Sequence, residues 1–276
     1  FAPRDRPDET VGELWAIVFD GGRVRASKQV VPIDRCSFAH AGLAVSVGDA
    51  KLDDGALAGG TDRISWSLTY RGDDPPLLLL REGMYDGGFP KAKSVIPAPL
   101  VRFSGSIVVD GERIVVDDWL GSQNHNWGAR HTDRYAWAQV AGFDGRDDAM
   151  LECITAKLKL GPLWTPWLTI AVLRVGDRTH AFNSLARAPF CNARIEGLRS
   201  SFTASNGSAR LHVEVEAPRE AFVGLRYANP PGGAKICLNT KIARARVQLD
   251  DLVLETSNRA ALELLSEDDQ GIPVVV

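Results

Sequence analysis

The chain is poor in cysteine, methionine and tyrosine, with four, two and four of them among 276 residues. Cys36, Cys153, Cys191 and Cys237 are widely spaced, and no Cys-x-x-Cys pair suggests zinc or redox chemistry. They fix no disulfide pattern, and Cys153 and Cys237 lie in strand-like segments that read as buried, with the thiols as small hydrophobes. Long apolar runs are missing. Leu77-Leu78-Leu79-Leu80 falls far short of the roughly 18 residues a spanning helix requires, which leaves peripheral membrane contact open and nothing deeper. The formal charge of −3 is spread over both signs. Without a basic block carrying interleaved aromatics, nucleic acid is not an expected partner. Neither a P-loop nor a Gly-x-Gly-x-x-Gly fingerprint occurs, so no nucleotide cofactor is supported. There is no Gly-x-Ser-x-Gly elbow, and Phe103-Ser104-Gly105-Ser106 reads as strand. Repeats and low-complexity tracts are absent. The sequence opens on Phe1 and is silent on any signal peptide before it. Compartment stays open, with the cytoplasm or a membrane surface favoured, and the oligomeric state is not set.

What is present is an ordinary globular composition, 45% hydrophobic and 24% charged, long enough for one large or two small domains. Amphipathic helices are scarce; residues 258–267 allow either a helix capped by Asn258 or a final strand. Strand signals dominate. Ile64, Trp66, Leu68 and Tyr70 alternate with Ser65, Ser67 and Thr69, which predicts one buried face. Asp110-Gly111 is the strongest two-residue hairpin signal, joining strands at 101–109 and 113–119. Further strands are expected at 134–143, 150–160, 167–175, 179–183, 210–216, 222–227, 236–249 and 252–255. So many short strands with turn signals between them predict an all-β barrel or sandwich.

The chain's densest chemistry is Gly121-Ser122-Gln123-Asn124-His125-Asn126-Trp127-Gly128, followed by Ala129-Arg130-His131. The two glycines suggest a sharp bend at each side, a corner between two sheets. A plainer alternative is that His125 and Trp127 satisfy a turn and cap a core. Along 134–143, Tyr135, Trp137, Gln139, Ala141 and Phe143 share a face opposite small residues. That face suits a lipophilic pocket with one amide, or equally a dry core. Along 150–160, Glu152 is the one charge on a face of Met150, Ile154, Ala156, Leu158 and Leu160. Burial disfavours its ionised form, which makes Glu152 a candidate general acid; the alternative is an ion pair with a residue such as Arg134. Glu152 lies one hairpin beyond His125, so the two are expected to approach each other. Asn239 and Lys241 alternate inward with Cys237 and could reach the same place. His125 and His131 lack a third partner at metal-ligand spacing, and no metal site is expected. His40, His180 and His212 are isolated and read as structural or exposed.

The stretch Asn124-His125-Asn126-Trp127-Gly128 resembles the His-Asn-Trp-Gly signature of the carotenoid 1,2-hydratase (hydroxyneurosporene synthase) family. That family is related to AttH-like proteins and, more distantly, to tocopherol cyclases and some lipocalin-like Diels–Alderases. The resemblance implies two lipocalin-like antiparallel β-barrel or sandwich halves, with the signature near the end of the first; the boundary falls between 1–130 and 131–276. It also implies roles in activity for His125 and Trp127. Where the family carries an acidic residue just before the histidine, this chain has Asn124. The expected function is a cofactor-independent lyase or isomerase of hydratase or cyclase type, acting on a hydrophobic isoprenoid- or polyketide-like small molecule. Protonation of a carbon–carbon double bond needs an acid, and the resulting cation needs electron-rich faces. His125, Glu152, Trp127 and Tyr135 are the candidate catalytic residues; Trp119, Asn124, Trp137, Gln139, Trp164 and Trp167 are candidates for lining the substrate site. The alternative is a non-catalytic carrier of a lipophilic ligand, which needs no acid in its cavity.

Overall fold

A computed structural model describes residues 2–3, 6–21, 23–230, 232–266 and 269–275. The architecture is all-β: among the described residues the helical elements are three-residue 3-10 turns, and everything else regular is strand. A hairpin of Val11–Asp20 and Arg23–Pro32 opens the chain. An eight-stranded antiparallel sheet follows, running from Glu112–Gly128 through Ala92–Val109 and Ile64–Arg71 to the short strands that end at Cys36–Phe38. A second, ten-stranded sheet takes over at Arg134. Its central order is Leu168–Val175, Arg146–Lys157, Arg134–Phe143, Leu252–Ser266 and Ala234–Leu249. Both sheets curl into half-barrels, a lipocalin-like β fold.

Local chemistry explains these elements. Ile64–Arg71 shows the expected alternation, with Ser65, Ser67 and Thr69 exposed and Ile64 buried. At Asp110-Gly111 both residues take positive φ, 50° and 87°, the geometry of a tight hairpin turn that glycine and aspartate tolerate. The strands it joins run further than the sequence suggests, over Ala92–Val109 and Glu112–Gly128. Residues 121–128 are therefore strand and not a corner, with register shifts on either side of Gln123. Gly121 and Gly128 are there for close approach. A Cβ on Gly121 would lie 2.8 Å from the Phe103 ring, and one on Gly128 would meet the Lys91 carbonyl. The bend falls later, between Gly128 and Arg134. Residues 258–266 are strand, not helix, part of Leu252–Ser266; Glu267 lies outside the described residues.

Two cores lie on opposite faces of the ten-stranded sheet. One fills the curl of the ten-stranded sheet with Ala136, Ala138, Val140, Leu151, Cys153, Leu262 and Leu264. The other lies on the opposite face, where Leu77, Leu79, Ile96 and Leu100 of the first sheet's region pack on Met150, Ile170 and Val172 of the second. Phe143 does not continue the aromatic face. Gly142 adopts φ 79° and breaks the register between Ala141 and Phe143, a bulge that turns Phe143 into the curl. Arg174, buried, ties the halves further by donating to the carbonyls of Pro75 (2.6 Å) and Pro76 (3.2 Å).

Candidate active site

Glu152 sits mid-strand in Arg146–Lys157, opposite Gln139 on one neighbour and Val172 on the other. The two-residue period of the strand sends its side chain to the face between the sheets, beside Met150 and Ile154. It is 1% exposed. No cation among the described residues forms an ion pair with it, and in particular Arg134 does not. Its partners are neutral: Trp137 Nε1 donates to Oε1 at 2.7 Å, and Gln139 Nε2 donates to Oε2 at 2.8 Å. Burial pushes the carboxyl up to about 7, against the lowering effect of those two donors; the nearby Glu263 charge adds to the rise and Lys241 opposes it. A carboxyl in this state can both give and take a proton near neutral pH.

A line of hydrogen bonds leads outward from it. Gln139 Nε2 also donates to Asn124 Oδ1 at 3.1 Å, Asn124 Nδ2 donates to Gln139 Oε1 at 3.4 Å, and Ser122 Oγ donates to the same oxygen at 2.7 Å. Asn124 itself is exposed, so a single polar layer separates the buried carboxyl from the surface. Both Ser122 and Asn124 come from the first sheet; Gln139 and Glu152 come from the second.

On the other side of Trp137 lies a second carboxyl. Glu263 is directly opposite Trp137 on Leu252–Ser266. It accepts from Asn239 Nδ2 (2.6 Å) and from Lys241 Nζ (2.9 Å), and Lys241 also stands 4.9 Å from the Trp137 ring centroid. Cys237 Sγ is 3.8 Å from Glu263 Oε2 and 4.0 Å from the Tyr135 hydroxyl. Desolvation drives the Tyr135, Tyr227 and Cys237 groups upward, so all three hold their protons. The Asn239 side-chain amide oxygen is buried and has no donor among the described residues.

The structure thus gathers Glu152, Trp137, Gln139, Asn124 and Tyr135 around one face, with Asn239 and Lys241 beside them. It does not gather the rest. His125 is on the exposed side of its strand, stacked on Trp127 with ring centroids 5.0 Å apart, and Tyr85 lies 6.0 Å beyond Trp127. The strand's alternation explains this: Ser122 and Asn124 face the acid, so His125 cannot. Trp119 is half exposed on the first sheet, opposite Phe103. Trp164 and Trp167 stand at the far end of the Glu152 strand under basic side chains, Arg134 and Lys159 over Trp164 and Lys157 over Trp167. Ser122, Glu263 and Tyr227 are contributors that sequence reasoning passed over. For Glu263 a signal existed, since Ala260-Ala261-Leu262-Glu263-Leu264-Leu265 sets one carboxyl in an apolar run just as at Glu152.

No family model matches the chain. It is 26% identical over 196 residues to an uncharacterized protein of Mycobacterium tuberculosis, Rv0493c in strain H37Rv and MT0513 in strain CDC 1551. That match covers 70% of this chain and 58% of the relative, so the chain aligns with little more than half the length of the curated relatives it matches. Two solved structures share its fold. One is a candidate AttH from Nitrosomonas europaea, at TM-score 0.55 and 11% identity, covering 89% of this chain and 76% of that one. The other is kievitone hydratase from Nectria haematococca, at TM-score 0.55 and 13% identity, covering 92% and 80%. The fold is therefore of the kind found in AttH-like proteins and that hydratase.

Proposed function

We propose that this chain is a cofactor-independent hydratase-type enzyme, a lyase or isomerase, acting by acid–base catalysis on a hydrophobic small molecule taken up between the two β halves. One observation carries the reading: a carboxyl buried between the sheets, held by neutral donors alone and titrating at about 7. A structural carboxylate is normally ionised and paired; a buried acid that remains partly protonated near neutral pH suits proton transfer. The fold shared with a hydratase supports the same choice of reaction.

In this reading the Glu152 O–H bond breaks as a new C–H bond forms on one carbon of an isolated double bond. The positive charge left on the other carbon faces the Trp137 and Tyr135 rings, which attract cations. Water then adds to that carbon through its oxygen, and the proton it sheds returns to the Glu152 carboxylate, closing the cycle. Loss of a proton from the carbon beside the cation to the Glu152 carboxylate, instead of addition of water, gives the isomerised alkene. Attack of a second double bond of the substrate on the cation forms a ring C–C bond and a new cation, and the same proton loss then completes a cyclisation. Asn124 and Ser122 form the cover that a substrate displaces on entry, and His125 with Trp127 belongs to the entrance, not to the proton transfer. Isoprenoid- or polyketide-like compounds meet these requirements of an apolar body and a reactive double bond.

The test incubates the protein with kievitone and a panel of isoprenoid alkenes, reading the gain of one water by mass spectrometry and, in D2O, the gain of one carbon-bound deuterium. Native mass spectrometry of the purified protein first reports any retained hydrophobic molecule. Glu152→Gln is expected to lose at least about 100-fold in turnover while keeping its near-UV circular dichroism. Retained turnover in that folded variant would sink the assignment. A tightly held ligand that neither protein transforms, bound equally by both, would put a carrier in its place.

A further inference from the structure

We propose that the end of the molecule beyond the Glu152 strand is a docking surface for an anionic lipid bilayer. After Lys157 the chain leaves the ten-stranded sheet and forms a small hairpin, Lys159–Leu160 with Leu163–Trp164, that pairs only with itself. Its apolar side chains face outward: Leu160 is 63% exposed, Leu163 71% and Trp164 39%. Water gives no reason to hold two leucines and an indole on a hairpin tip. Basic side chains lie over the indoles at this end. Arg134 lies 5.0 Å and Lys159 5.8 Å from the Trp164 ring, and Lys157 lies 4.8 Å from that of Trp167. Among the described residues Asp133, beside the hairpin, is engaged by Arg130 at 3.3 Å and by the Lys159 N–H at 2.9 Å.

The first sheet ends at the same rim. Arg134 pairs with Lys157, and only the short bend after Gly128 separates them from the end of the Glu112–Gly128 strand. That end presents Trp127, and the loop leading into its partner strand presents Phe89, both exposed. Tryptophan flanked by lysine and arginine, above leucines, is the pattern that gains most at a membrane interface. The indole sits at headgroup depth, the leucines enter the acyl boundary, and the cations meet phosphate. The charge surrounding the hairpin selects an anionic surface over a neutral one. The placement also has a consequence for the site, since Asn124, Gln139 and Glu152 lie four or five residues back from this rim along three strands. A bilayer-dissolved molecule would enter beside them. The inference does not depend on catalysis, because binding is read without turnover.

The experiment is co-sedimentation of the full chain with vesicles of phosphatidylcholine alone or with about one third phosphatidylglycerol, at low and high salt. Binding to the anionic vesicles is expected, weakened by salt and at least tenfold weaker for L160D/L163D, since both leucines would lose an apolar environment. Each lysine in K157Q and K159Q is expected to contribute about fivefold. Equal binding to neutral vesicles, wild-type binding by L160D/L163D, or no binding at all overturns the proposal. Light scattering that finds a dimer dispersed by L160D/L163D, with no vesicle binding, assigns the hairpin to a second copy and also overturns it. Should the double aspartate variant not fold, the lysine variants and the salt series decide alone.

Discussion

Replacing Glu152 by glutamine tests the electrostatics of the site without any substrate. In the unfolded chain this carboxyl titrates near its ordinary value of 4.5; in the fold it titrates at about 7. Between those two pH values the folded state binds the extra proton, so stability falls as pH rises and the loss is complete once pH has passed through 7. The full span corresponds to roughly 3 kcal/mol, and most of it lies between about pH 5 and about pH 9. The group is wholly buried, so solvent screening does not reduce the figure much. Glutamine cannot titrate, and every other ionisable group is common to the two proteins. The difference in urea-unfolding free energy between Glu152→Gln and wild type should therefore move in favour of the variant by roughly 2–3 kcal/mol from about pH 5 to about pH 9. The offset at the acid end carries no weight, because the glutamine amide must find its own partner among Trp137 and Gln139. Only the slope counts. Parallel stability curves, with the difference constant to within about 1 kcal/mol, would show that Glu152 is ionised in the fold like any surface carboxylate, and the case for an acid would go with it.

Removing the Trp137 indole donor in Trp137→Phe takes away the largest of the interactions holding Glu152 down; its titration, followed by carbon-detected NMR of the carboxyl, should move above 7. Gly142→Ala forces a side chain onto a φ of 79° and into Leu120, and should cost about 1–3 kcal/mol in urea unfolding.

The sheets were legible because alternation and turn chemistry are local. Residues 64–70 and Asp110-Gly111 declare themselves within a few positions, and both appear in the structure as read. The misreadings share one cause, which is that the deciding partner is distant in sequence. Gly121 and Gly128 look like bend residues until Phe103 and the Lys91 carbonyl are seen against them. The alternation that puts Trp137 and Gln139 on Glu152's face was visible, whereas the bulge at Gly142 that removes Phe143 from that face was not. Imidazole is chemically versatile, but with residues 121–128 in a strand, Asn124 and Ser122 take the inward positions and His125 takes the outward one. The residue type that marks the candidate site is thus not the rarest in the chain but the least comfortable: a carboxyl inside an apolar run, found at Glu152 and missed at Glu263, where the same run also fitted a helix. A lone acid at two-residue spacing among aliphatics asks where its neutralising partner is. For Glu263 the answer is Lys241 and Asn239; for Glu152 it is a pair of neutral donors, and that difference is why proton transfer is proposed for Glu152 and not for Glu263.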